Sequence, residues 1–180
     1  MKPLQQQEIA RQIEGQLNAL ESGFSEEEVM IGKALRIAIN AVLEGGHGVG
    51  AIIKSGSETL VTAGNTGSNG RPDAFIAHAE ISALVKLNEA GLRDDRPKMF
   101  TTLEPCGMCT RAILIANSIS EIIVGALEPR SASILSQREP LLEPRFAEML
   151  SDREISFRKA EVRPELRQLC SDIFFRPRGQ

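Results

Sequence analysis

Four residues of this 180-residue chain combine reactive side chains with meaningful spacing: His78 and Glu80 in "AHAEISAL", and Cys106 and Cys109 in "LEPCGMC". Zinc takes thiolate and imidazole donors in tetrahedral geometry, and a catalytic site uses three protein ligands with the fourth position left open. His78, Cys106 and Cys109 make three. Cysteines at i and i+3 of a helix start turn both sulfurs toward one ion, and the helix N-terminus favours the thiolates. Glu80 is then the natural general base, taking a proton from an attacking water and returning it to the leaving group. The cofactor expected is one Zn2+ per chain. Two other readings use the same residues. A Cys-x-x-Cys at a strand-to-helix junction is also a redox-dithiol arrangement, which has no need of His78 or Glu80. A structural zinc module would take His47, the only other histidine, as fourth ligand, but no second Cys-x-x-Cys or paired histidines accompany it.

The elements that must position these groups follow from periodicity. Ile9, Ile13, Leu17 and Leu20 predict an amphipathic helix over 4–21. Ser25 and Glu28 form a capping-box pair that opens a second helix, which stops at Gly45-Gly46. "VGAIIK" (49–54) and "TLVTA" (59–63) read as strands of a hairpin, followed by a long Gly/Asn-rich loop over 64–77. His78 opens a helix closed by Gly91, "MFTTL" (99–103) is a strand halted by Pro105, and a helix resumes at the cysteines. "EIIVGAL" (121–127) is a strand, "RFAEML" a short helix in a stretch broken by Pro140 and Pro144, and 154–160 a last strand. Pro164 stands in the first turn of the final helix. The order α-α-β-β-α-β-α-β-α-β-α implies a mixed sheet covered on both faces. The crossover between the last two strands makes those two parallel.

Composition narrows the partners. Apolar residues are 42% of the chain, net charge is −3, and the polar start "MKPLQQQEIARQ" is no signal peptide. No apolar run reaches the roughly 20 residues of a membrane span, so the expectation is a cytoplasmic protein without a membrane partner. Three cysteines without a secretion signal argue against a disulfide framework. Residues 1–50 hold four basic and seven acidic side chains and 151–180 seven and five, so positive charge gathers only weakly at the C-terminal end. With no block of Lys or Arg, and neither Tyr nor Trp, a large nucleic-acid substrate is disfavoured.

"HAE" and "PCGMC" fit the H-x-E…P-C-x-x-C signature of zinc nucleobase deaminases. From about residue 25 onward the chain resembles the cytidine deaminase superfamily. The similar branch is that of tRNA-specific adenosine deaminases, guanine deaminases and fungal cytosine deaminase, on "VGAIIK", "HAEISAL" and "MFTTLEPCGMCTRAILIANSISEIIVGA". The resemblance implies a three-layer α/β/α fold with a mixed five-stranded sheet in a deaminase domain over 25–180, preceded by an N-terminal helical extension over 1–24. It implies that His78, Cys106 and Cys109 bind zinc and that Glu80 shuttles the proton. It also implies that Asn65 holds the substrate base through its amide and that the Ala79 backbone N–H contacts the ring. His47 is read either as a residue at the pocket mouth or as a turn residue of "EGGHGVG". Glu104, with Pro105 behind the cysteines, is read as an acceptor orienting the site or as a carboxylate at a helix start. Cys170 is read as a buried apolar residue, and Phe174 and Phe175 either as caps of the pocket or, in preference, as core or subunit-interface aromatics. A homodimer is implied by the resemblance alone. The chain departs from tRNA deaminases in a slightly longer loop after Asn65, in lacking their Pro shortly before the His, and in a tail ending with only Arg176 and Arg178. The expected activity is hydrolytic deamination of a nucleobase-type ring, as free base or nucleoside, to the oxo form. The alternatives are wobble-adenosine deamination in tRNA and a non-catalytic zinc-stabilised module.

Overall fold

The computed structural model describes residues 3–67, 73–91, 96–127 and 144–178. Along the chain run α1 (Pro3–Leu20), α2 (Glu26–Leu43), β1 (His47–Ser55), β2 (Glu58–Asn65), α3 (Ala79–Glu89), β3 (Lys98–Leu103), α4 (Gly107–Ala116), β4 (Glu121–Ala126), α5 (Pro144–Ser151), β5 (Ser156–Lys159) and α6 (Pro164–Phe175). A short 3-10 turn, Arg176–Arg178, follows α6. The five strands form one sheet in the order β2-β1-β3-β4-β5. β1 is antiparallel to both β2 and β3, while β3, β4 and β5 are mutually parallel, including the last pair expected from the sequence.

α2 and α6 pack on one face of the sheet with α1 laid across them, and α3 lies on the other face beside α4. β1 runs close beneath the first pair because two of its residues carry no side chain. A Cβ on Gly50 would stand 2.1 Å from the Ala34 carbonyl oxygen of α2, and one on Gly48 2.1 Å from the Ile173 carbonyl oxygen of α6. The core fills the space around this contact with fully buried Ile31, Leu35, Ile52, Ile53, Met99, Ile113 and Ile122.

The strand ends differ from the periodicity. The last strand is shorter than expected, Ser156–Lys159, while β1 begins at His47, two residues before its first expected position, and β2 runs on to Asn65, two residues past its expected end. The cause is that His47 and Asn65 pair with each other across an irregular register before Gly50 meets Gly64. His47 is therefore a strand residue and not a turn residue. Pro140 and the stretch 128–143 lie outside the described residues, while α5 forms where "RFAEML" was expected.

The capping box at the start of α2 is present: the Glu28 N–H donates to Ser25 Oγ at 3.2 Å and the Ser25 N–H to Glu28 Oε2 at 2.9 Å. The same buried carboxylate takes Arg163 Nε at 2.7 Å and the Arg163 backbone N–H at 2.9 Å, just ahead of α6. The guanidinium also reaches the Leu20 and Gly23 carbonyls and lies over the Phe24 ring. One ion pair thus fixes the end of α1, the start of α2 and the entry to α6. The Arg163 hydrogen bond, above all, holds the Glu28 carboxyl down at about 2. Because that value lies below the ordinary 4.5, the pair's contribution is complete above pH 4.5 and disappears as pH falls toward 2. Glu28→Gln should therefore unfold more easily in urea at pH 7, and the gap to wild type should narrow below about pH 4.5. A gap independent of pH would show that the charge is not what matters.

Candidate active site

The catalytic-type residues meet at one end of the sheet, where β2 and β3 finish and β1 begins. Open α/β sheets place ligands beyond the carboxyl ends of their strands, and this site follows that pattern. α3 and α4 both start here, with His78 and Cys106 as their N-cap residues in extended conformation (φ −73°, ψ 149° and φ −64°, ψ 168°). Neither side chain caps its helix. Ser, Thr, Asp or Asn in such a position would stabilise the helix by about 1 kcal/mol. Here the imidazole and the thiol project away from the helix ends toward each other.

His78 Nδ1 lies 3.6 Å from Cys106 Sγ and 3.4 Å from Cys109 Sγ, and the two sulfurs are 3.6 Å apart. A tetrahedral zinc with ordinary Zn–S and Zn–N bonds separates its sulfur and nitrogen ligands by about 3.6–3.8 Å. The triangle is thus already the face of a zinc tetrahedron, and among the described residues these three form the only group of three or more metal-binding side chains close enough to hold one ion. The Cys106 thiol is directed at the Cys109 sulfur, 3.6 Å away. The hydrogen bond between them, above all, draws Cys106 down to about 4, while the same bond and burial push Cys109 well above its usual range. A metal ion bound here would displace the thiol protons and leave two thiolates.

Glu80, in the first turn of α3, is buried beside the triangle, with Oε2 accepting from Cys109 Sγ at 3.3 Å and Oε1 facing Thr101 Oγ1 at 3.3 Å. Burial, the largest influence on it, raises its proton affinity above that of an ordinary glutamate. Thr101 in β3 was not anticipated from the sequence. Its hydroxyl also reaches the Leu103 carbonyl at 3.1 Å, and a threonine in an apolar strand gives no signal of such a partner.

Asn65 is buried at the end of β2 and accepts the Gly67 N–H on Oδ1 at 2.9 Å. That bond assigns the amide: the oxygen faces the Gly67 N–H, which leaves the NH2 group as the other end of the side chain. The two ends of the following loop are joined by Thr66 N–H to the Ala77 carbonyl at 3.1 Å, which brings Asn65 beside His78. Ala79 is fully buried next to His78 and does not line the cavity with its side chain. The contact expected of it is left to its N–H, one of the first-turn amides that a helix does not bond internally. Glu104 is buried, its N–H bonded to the Ala126 carbonyl at 2.9 Å, and the Pro105 carbonyl accepts from Thr110 Oγ1.

A cavity of about 310 Å³ opens over these groups, lined by His47, Asn65, His78, Glu80, Glu104 and Cys106 together with apolar walls that include Phe75 and Phe174. His47 thus lines the cavity. Phe174 packs against the core and also lines the cavity: α6 passes so near Gly48 that the residue after Ile173 reaches the pocket, with Phe175 edge-on to it at 4.9 Å. Cys170 is buried as expected. No described helix is long and apolar enough to cross a membrane.

Residues 25–126 match the family described as cytidine and deoxycytidylate deaminase zinc-binding region. The chain belongs to this deaminase family. The matched segment contains His78, Glu80, Cys106 and Cys109 and begins just after α1. A tRNA-specific adenosine deaminase of Bacillus subtilis (strain 168) is 26% identical over 109 residues, 59% of this chain and 66% of that protein. A guanine deaminase structure from Nitrosomonas europaea superposes with a TM-score of 0.65 at 19% identity, covering 89% of this chain and 91% of the other. A dCMP deaminase structure from the cyanophage S-TIM5 gives a TM-score of 0.53 at 20% identity, covering 74% of this chain and 95% of that one. At such identities the structural likenesses establish the fold, a cytidine deaminase-like three-layer α/β/α.

The triangle predicts a stoichiometry. Purified protein should carry about one zinc per chain by elemental analysis, and Cys106→Ala or Cys109→Ala should lose it. Wild-type protein that folds and acts after exhaustive chelation would overturn this assignment.

Proposed function

We propose that the chain hydrolyses the exocyclic amino group of a nucleobase-type ring, as free base or nucleoside, with zinc held by His78, Cys106 and Cys109. The observation that carries this reading is the buried carboxylate of Glu80, 3.3 Å from Cys109 Sγ and exposed to a cavity whose volume suits a small molecule. Zinc, when bound, supplies the Lewis-acid charge that makes water a nucleophile near neutral pH. Glu80 takes a proton from the attacking water as the new C–O bond forms at the amidine carbon, and passes it to the adjacent ring nitrogen. It then carries the second water proton to the amino group, the C–N bond breaks, ammonia leaves and the carbonyl remains. Burial suits Glu80 to this, since a carboxyl with raised proton affinity returns a proton as well as it accepts one.

Orientation falls to the walls. Asn65 donates through its amide NH2 to an acceptor on the ring, the Ala79 N–H supplies a second contact, and Phe174 and Phe75 offer apolar faces to a planar ligand. His47 contacts the substrate at the mouth, and Glu104 with Pro105 holds the cysteine turn. Exposed Val85 and Ile115 on α3 and α4 support the homodimer that the resemblance implies. The reading as a wobble-adenosine deaminase is supported by the Bacillus relative and by the "SDIFFRPRG" tail. The acidic balance, with a pI near 5.5, favours the small substrate.

Ammonia release from a panel of bases, nucleosides, nucleotides and a wobble-adenosine anticodon stem-loop should be positive for at least one small substrate. Glu80→Gln should retain zinc and lose at least about 100-fold in kcat. Release from the stem-loop alone would replace the main reading with the tRNA one, and full activity in Glu80→Gln would require another base.

A further inference from the structure

α1 lies outside the segment that matches the deaminase family, yet it bonds to two chain segments next to residues that wall the substrate cavity. Its inner face, Ala10, Ile13 and Leu17, is fully buried against α2 and α6. Two adjacent glutamines extend from it in different directions. Gln7 Nε2 donates to the Leu43 carbonyl at 3.0 Å, at the last turn of α2, four residues before His47. Helix-end carbonyls have no partner within their own helix, so this bond satisfies a group that would otherwise need water. Gln6 Nε2 donates to the Pro177 carbonyl at 2.9 Å, three residues beyond Phe174, in the 3-10 turn that ends the tail. Arg176 reaches back to Gln12 Oε1 at 3.4 Å. His47 and Phe174 line the same cavity, and neither is next to a metal-binding residue in sequence.

We propose that α1 is a brace for substrate binding: through Gln6 and Gln7 it ties the tail bearing Phe174 to the α2–β1 turn bearing His47, and so sets the cavity on the side away from the metal triangle. α1 packs against α2, α6 and the closing 3-10 turn, whereas the metal triangle and Glu80 rest on α3, β3 and α4, so the brace acts on affinity and leaves metal binding and the chemical step alone. It also holds the tail helix against the body of the protein, which selects compact ligands over ones that need the tail to move aside. This rests on the reading of the cavity as the substrate site.

The test uses the full-length, zinc-loaded chain with Gln6→Ala/Gln7→Ala, and Gln16→Ala on the exposed face of α1 as control. Loss of two side-chain hydrogen bonds should raise KM about three- to tenfold for whichever substrate the wild type deaminates, with kcat and zinc content within twofold of wild type. Independently of any substrate, amide hydrogen exchange should accelerate at residues 44–48 and 173–178 and stay unchanged at 78–82 and 104–110. Unchanged KM, or equal loss in kcat with unchanged exchange at both walls, overturns the brace. If the wild type deaminates nothing on the panel, the functional reading fails by itself, and exchange at the two walls still decides whether α1 couples them.

Discussion

Everything at this site depends on two helices that begin at one point with the wrong capping residues. An N-cap side chain is normally an oxygen acceptor that folds back on its own helix. His78 and Cys106 hold the N-cap backbone conformation but turn a nitrogen and a sulfur outward, 3.6 Å apart. Placing Cys109 one turn further brings a second sulfur to the same centre, and placing Glu80 two residues after the histidine puts its carboxylate against that sulfur. The helix ends lose local stability and supply what a bound cation requires: dipoles that favour anionic sulfur, and a geometry set by backbone rather than by flexible side chains.

The sheet is what makes the two helix ends converge. β3 delivers Cys106 through a turn stiffened by Pro105, and the Glu104 N–H continues the pairing with β4 through Ala126. β2 delivers Asn65, and the bond from Thr66 to Ala77 closes the intervening loop so that His78 returns beside it. The register irregularity between His47 and Gly50 lies at the same edge, where a regular ladder would aim His47 elsewhere. A register irregularity at one strand end and forgone caps at two helices are thus found together, as local departures from ideal sequence rules tend to be at functional sites.

How far the sequence could be read depended on whether the information was local. The capping box of α2, the element order and the His/Cys/Cys/Glu constellation rest on short spacings, and the geometry places those side chains together. What was missed is long-range. Gly48 and Gly50 look like strand-weakening residues, and only the packing of α2 and α6 shows that they permit close approach. For Phe174 the sequence left pocket and core both open, and the packing of Ile173 against Gly48 is what sets it in the cavity wall. Thr101 is one polar atom in an apolar strand, and its meaning depends on a carboxylate 21 positions away.

The same distinction explains why metal chemistry and substrate choice sit in different parts of the chain. The metal triangle and Glu80 come from two helix starts separated by one strand, and a short motif is enough to specify them. The ligand is framed instead by the ends of three separated segments: the β2 terminus with its loop, the α2–β1 turn and the tail after α6. The His47–Asn65 pairing ties the first two of those segments, and the tail is held by the Glu28–Arg163 pair that anchors the entry to α6 and by the contacts of α1 with its exit. Substitutions in such distant supports can move the walls while leaving the reacting groups in place. On the proposed reading, a chain built this way could change the ring it accepts without altering how it removes the amino group.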